Sequence, residues 1–238
     1  MKFLKVLIII VILDFCLGIF VTNRQMYRPP KKYYTIFKTV TSFDFMLLGL
    51  LIFLYTGSDV YFKFLPGYLF CFLGDFLLAI AKKEDGQLIS SRFMAGMGSF
   101  SLGHIFYLIQ YCGILGDRLA GKGMIIPIMF ALFLCVGTMV ASRSKYFHYG
   151  HKAPYCAAYG AMVGFFGGLG LDMLLFMSEE AYIIMLGIGA FLFMCSDSVL
   201  ALKYFLIARH EKKKPFGYIE LTLYYIAMGL LVTFPLAL

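Results

Sequence analysis

Long polar stretches are missing from this chain, and so is most of the charge a soluble protein carries. Only 14% of its 238 residues are Asp, Glu, Lys or Arg, against 61% hydrophobic. A soluble chain this apolar would have to hide more surface than its core could hold, so the composition excludes a soluble globular protein and leaves no segment for a second domain. The six cysteines, Cys16, Cys71, Cys112, Cys135, Cys156 and Cys195, all fall in apolar runs without the spacing of a disulfide framework. They read as small buried hydrophobes. HExxH, GxSxG, Walker and Rossmann patterns are absent, as are any internal repeat and any low-complexity segment. His148-x-x-His151 lies in a basic loop without a nearby cysteine or acid, and reads as two solvated histidines rather than a metal site. No metal and no cofactor is expected.

What is present is a series of apolar runs. Eight spans follow, at 3–22, 37–56, 64–81, 93–112, 123–141, 154–177, 181–207 and 216–235, each long enough to cross roughly 30 Å of hydrocarbon at about 1.5 Å per residue. The first is too long for the core of a signal peptide and is retained as a membrane helix. The expected fold is all-α: one polytopic integral membrane domain over 1–238, a bundle of eight transmembrane helices. Spans six and seven are joined so tightly that they must form an antiparallel hairpin.

The net charge of +8 belongs to topology rather than to nucleic acid, for which no binding module is recognisable. Sixteen of the 21 basic residues fall in or beside the links after spans one, three, five and seven. They are Arg24, Arg28, Lys31, Lys32 and Lys38, then Lys82, Lys83 and Arg92, then Arg143, Lys145 and Lys152, then Lys203, Arg209, Lys212, Lys213 and Lys214. The other side has Lys2, Lys5, Lys63, Arg118 and Lys122. The excess places the basic links in the cytoplasm and both termini outside. A bacterial plasma membrane is the expected location.

Two acids interrupt the apolar runs. Asp75 lies in Gly74-Asp75-Phe76-Leu77-Leu78, and Asp197 in Cys195-Ser196-Asp197-Ser198-Val199. A carboxyl group in hydrocarbon is costly unless it is neutral, paired or useful, which makes each a functional-site candidate. Asp75 precedes Lys82 by seven residues and Asp197 precedes Lys203 by six, on spans running the same way. Both carboxyls therefore fall about 10 Å from the basic edge, at a common depth where they could meet. Asp172 lies toward the other end of its span and is set aside. Asp14, Asp44 and Glu220 occupy apolar or partly apolar stretches, where ion pairing with Lys38, Lys203 or the Lys212–Lys214 run is their commoner fate.

The fourth span puts His104, Tyr107 and Tyr111 on one helix face, with Gly96 and Gly103 near it to admit a neighbouring helix. His104 and Tyr107 are expected either to orient an acid or a head group, or to hydrogen-bond between helices. Gly160, Gly164 and Gly168 form a small-xxx-small stripe for packing, not a phosphate loop. The hydroxyls of Ser196 and Ser198 are expected to bond the Asp197 carboxyl or the backbone one turn back.

Three stretches together carry a resemblance: Gly74 to Leu78; Phe93 through Gly103-His104-Ile105-Phe106-Tyr107; and Gly189 through Cys195-Ser196-Asp197-Ser198-Val199-Leu200-Ala201. In order and spacing they resemble the signature stretches of the YhhN family of membrane lysoplasmalogenases, from about the second span to the last. The resemblance implies an ether hydrolase that cleaves the vinyl-ether bond of a lysoplasmalogen. Its products would be a fatty aldehyde and glycerophosphoethanolamine or glycerophosphocholine. It also implies that Asp75 and Asp197 are the catalytic pair. Two departures stand out: the family's Lys-Pro is Lys38-Thr39 here, and its final Tyr-Tyr-x-Ala-Gln is Tyr224-Tyr225-Ile226-Ala227-Met228. The lost glutamine removes one polar contact and leaves both acids in place.

Vinyl ethers hydrolyse by protonation at carbon, which gives an oxocarbenium ion that water captures. The hemiacetal so formed collapses to aldehyde and alcohol. Two interacting carboxyls in a low-dielectric site suit this, one neutral as the acid and one ionised to face the cation, as in glycosidases. His104 and Tyr107 would orient the acids or the water, and Lys38 with neighbouring basic residues would hold the lipid phosphate. Ser196, Ser198, Tyr224 and Tyr225 complete the expected orienting set. The expected partners are thus a lysophospholipid substrate and the bilayer itself. The alternative is a small proton-coupled membrane transporter using the acid cluster, against which the missing repeat and the lack of a Gly/Pro-broken helix pair both count.

Overall fold

The computed structural model describes residues 2–81, 88–116, 124–207 and 210–238, with residues 210 and 211 in backbone only. Lys82, Lys83, Arg118, Lys122 and Arg209, which entered the charge count, lie outside the described residues. Among those described there are eight long α-helices and no strand. They are α1 (Lys2–Gln25), α2 (Lys31–Thr56), α3 (Val60–Ala79), α4 (Ser90–Leu115), α5 (Ile125–Ser142), α6 (Ala153–Phe176), α7 (Ala181–Phe205) and α8 (His210–Thr233). Seven of them are long and apolar enough to cross a membrane. The chain is an all-helical polytopic membrane protein.

The eight helices expected from sequence are all present, and the one outside that seven is α4. At 26 residues it has the length, but Ser90, Ser91, Arg92, Ser99, Ser101, His104 and Gln110 dilute its apolar content. The cause is what α4 faces: Ser99, His104, Tyr107 and Tyr111 are all buried. A helix whose polar groups point at protein does not need the apolar girth of one bathed in lipid. α1 and α5 are the opposite case, with Leu13, Leu17 and Phe20 on one and Leu132, Phe133 and Val136 on the other exposed as apolar surface.

The chain divides into two compact units, one of residues 1–113 with 232–238 and one of residues 114–231. In the first, α2 stops where Gly57 takes a left-handed conformation (φ 71°) and its N–H closes onto the Phe53 carbonyl at 2.8 Å. Only glycine accepts that geometry without strain. The α3–α4 contact depends on small residues at matching heights. A Cβ at Gly103 would lie 3.0 Å from the Cys71 sulfur and 3.3 Å from the Gly67 carbonyl, and one at Gly96 would strike Leu78. Such close approach is how helices associate where lipid removes the hydrophobic drive. Ser99 adds a hydrogen bond to the Phe70 carbonyl at 2.6 Å.

In the second unit the Gly160–Gly164–Gly168 stripe lies against α5, as its spacing implies. A Cβ at Gly164 would strike the Phe130 carbonyl oxygen. α6 and α7, joined through residues 177–180, form the expected hairpin, with Gly170 against the Gly187 carbonyl. The link between α5 and α6 folds back on the end of α7: Ile207 N–H donates to Tyr146 and His148 N–H to the Phe205 carbonyl at 2.8 Å. Tyr149 stacks on Phe205 with ring centroids 4.2 Å apart.

Candidate active site

In the first unit α3 carries Asp75 against α2. Lys38 and Ser42 sit one helical turn apart on α2, so both side chains leave the same face. Lys38 Nζ is 3.0 Å from Asp75 Oδ1, and the Ser42 hydroxyl donates to Oδ2 at 2.7 Å. Each carboxylate oxygen thus has its own donor. Asp75 is 1% exposed, Lys38 3% and Ser42 not at all. A charge this deep persists only when paired and hydrogen-bonded, and both conditions are met. Lys38, expected at the lipid phosphate, is here committed to the acid.

His104 and Tyr107 are fully buried on α4, with Tyr111 one turn on. His104 Nδ1–H donates to the Phe100 carbonyl at 2.7 Å within its own helix, which fixes the ring and leaves Nε2 as the nitrogen directed elsewhere. Tyr107 belongs to an aromatic cluster, its ring 5.9 Å from Tyr68 and 6.0 Å from Phe64. Phe64 also meets Tyr111 and Phe234. This packs three buried tyrosines on the α3–α4 side of the unit.

In the second unit α7 presents Asp197, half-buried, to α6, and the Tyr159 hydroxyl donates to its Oδ2 in a short hydrogen bond. Ser196, the preceding residue, is turned roughly 100° around the helix and donates to the Glu220 carbonyl of α8 at 2.9 Å. That corrects the expectation for Ser196, which bonds a neighbouring helix rather than Asp197 or its own backbone. Ser198 behaves as expected and donates to the Met194 carbonyl one turn back at 2.8 Å. Tyr224 and Tyr225 are buried on α8, where Tyr224 meets Phe193 edge-on with centroids 5.3 Å apart.

Of the other acids, Glu220 pairs with Lys203 at 2.7 Å, both buried. This is one of the pairings expected of an edge acid, found inside the protein rather than at its rim. Asp44 and Asp172 are buried and Asp14 is exposed. Among the described residues no group of three or more His, Cys, Asp or Glu is placed to hold a metal. Two residues that contact the motif acids were not singled out from sequence, Ser42 and Tyr159. Ser42 had a signal, its one-turn spacing from Lys38. Tyr159 had none.

The YhhN family model matches residues 33–233, most of the chain. No curated protein and no solved structure matches it.

Proposed function

The chain belongs to the YhhN family, which is associated with hydrolase-type activity, and from that premise we propose that it is an intramembrane lysoplasmalogenase. It would cleave the vinyl-ether bond of a lysophospholipid with Asp75 and Asp197 as the catalytic pair. The observation that carries this reading is that each motif acid, lodged in an apolar helix, has a hydrogen-bond donor supplied by a neighbouring helix. Structural acids at membrane edges do not need such provision. In the reaction one carboxylic acid protonates the vinyl carbon, and the ionised partner faces the oxocarbenium ion. Water adds to that ion, a proton leaves, and the hemiacetal breaks into aldehyde and glycerophospho-alcohol. One water is consumed and nothing is oxidised or reduced, so no cofactor is required.

The test compares products by mass spectrometry after purified protein meets a lysoplasmalogen and its saturated ether analogue. Aldehyde is expected from the first and no product from the second. Absence of product from both would instead favour a carrier. The carrier reading also has less support from the helices, because α3 and α8 run continuously through Pro66 and Pro215, whereas transporter sites are commonly built on broken helices. In this proposal the basic links face the cytoplasm and the carboxyl terminus the opposite side. A C-terminal reporter active only outside the cytoplasm is the expected result, and cytoplasmic activity would reverse the orientation.

A further inference from the structure

We propose that the folded link between α5 and α6, together with the start of α8, forms a binding site for the head groups of anionic phospholipids. The site does not depend on the hydrolase reading. The link is built rather than slack. Phe147 and Leu206 form an antiparallel bridge, with Ile207 N–H donating to the Tyr146 carbonyl at 2.7 Å and His148 N–H to that of Phe205 at 2.8 Å. Tyr149 is 4% exposed and stacked on Phe205. Gly150, at φ 55°, then turns the chain into the short 3₁₀ helix Gly150–Lys152 that leads into α6. These contacts use backbone groups and aromatic rings, so the fold of the link does not draw on its charged side chains.

On that frame Arg143 and Lys145 are exposed and Lys152 is half-buried. α8 begins at His210, a few residues past Leu206, which brings Lys212, Lys213 and Lys214 to the same end of the unit. Against seven Lys and Arg in residues 143–152 and 206–215, the sequence offers one acid, Glu211. The described acids nearest in α7 and α8, Asp197 and Glu220, have donors of their own in Tyr159 and Lys203. Tyr146 and Tyr155, beside Lys145 and Lys152 in the chain, are 60% and 62% exposed. Such amphipathic rings settle at the level of lipid head groups, a depth that favours a membrane phosphate over a soluble one. Basic clusters at the ends of membrane helices attract anionic lipid, and a link already ordered loses little further freedom on binding it.

The experiment titrates purified full-length protein in detergent with phosphatidylglycerol and counts bound lipid by native mass spectrometry. Phosphatidylcholine and inorganic phosphate are the other arms. Phosphatidylglycerol is expected to bind at least about tenfold more tightly than phosphatidylcholine, to weaken as salt rises, and to resist displacement by millimolar phosphate. Equal binding of the two lipids overturns the proposal, and so does displacement by phosphate, which would assign the site to a free anion. Arg143→Gln/Lys145→Gln/Lys152→Gln removes three charges, and at roughly fivefold per basic residue near an anionic surface its affinity should drop about a hundredfold. Lys2→Gln/Lys5→Gln/Lys63→Gln takes the same charge from the starts of α1 and α3 and should bind as wild type does. A link variant that binds like wild type, or a control that loses as much as the link variant, sinks the site. Should the link variant not fold, each of its single changes is expected to lose about fivefold, and three unaltered singles decide against the site equally.

Discussion

Replacing Asp197 with Asn is expected to lower vinyl-ether turnover by roughly 10²–10⁴-fold, the contribution general acid catalysis makes in other enzymes. Asn keeps the size and the acceptor oxygen that Tyr159 bonds, but it has no proton to give. Asp197 is only half-buried, so the change should leave the fold intact, which the elution profile of the purified variant checks. That makes Asp197 the cleaner of the two acids to test. Tyr159→Phe gives the graded control: it removes one hydrogen bond to the acid and should cost about tenfold in kcat. Aldehyde release by folded, monodisperse Asp197→Asn at near wild-type rate would end the acid–pair mechanism. An unaffected Tyr159→Phe would limit that bond to packing.

The same substitution at Asp75 should also abolish turnover, yet it carries a structural penalty. Asp75→Asn leaves the Lys38 ammonium buried without its anion, and breaking a buried pair from one side costs about 3–5 kcal/mol. Activity and folding therefore fall together at Asp75 and separate at Asp197. That contrast follows from burial and partners alone, and it could not be read from the two motifs, which display the acids alike.

The helices themselves were legible because each apolar run must match the hydrocarbon thickness. Their ends were less so. α2 begins at Lys31 and α8 at His210, several residues before the apolar runs at 37 and 216, because backbone hydrogen bonding continues past the membrane edge into Lys31-Lys32 and the Lys212–Lys214 run. α7 stops at Phe205 rather than 207 because Ile207 donates to Tyr146 instead, a partner distant in sequence. In the site, the candidate acids were visible as charge in an apolar setting. Tyr159 was not, since a tyrosine in a membrane helix is unremarkable until helix rotation aims it, and the one-turn spacing of Ser42 from Lys38 carries meaning only once Lys38 is known to face inward. Lys38 was read as an interfacial charge, and only the α2–α3 contact shows that its ammonium turns inward.

An expected effect on stability as large as that of Asp75→Asn lies at a second buried pair, Lys203 and Glu220. Their side chains are 9% and 6% exposed and meet at 2.7 Å between α7 and α8, while Ser196 ties the Glu220 backbone carbonyl to the same helix at 2.9 Å. Lys203→Met strands the Glu220 carboxylate, and the expected loss is about 3–5 kcal/mol, or roughly 10 °C in the unfolding midpoint in detergent. Lys203→Met/Glu220→Leu should recover most of that loss, because exchanging a whole buried pair for apolar groups of similar size is often neutral. Turnover per folded molecule should stay near wild type in both, since the proposed chemistry belongs to Asp75 and Asp197. A double variant no more stable than the single would mean that Glu220 is held by its surroundings rather than by Lys203. A hundredfold loss of kcat in well-folded double variant would instead draw this pair into the site, and the assignment of the chemistry to Asp75 and Asp197 alone would have to be abandoned.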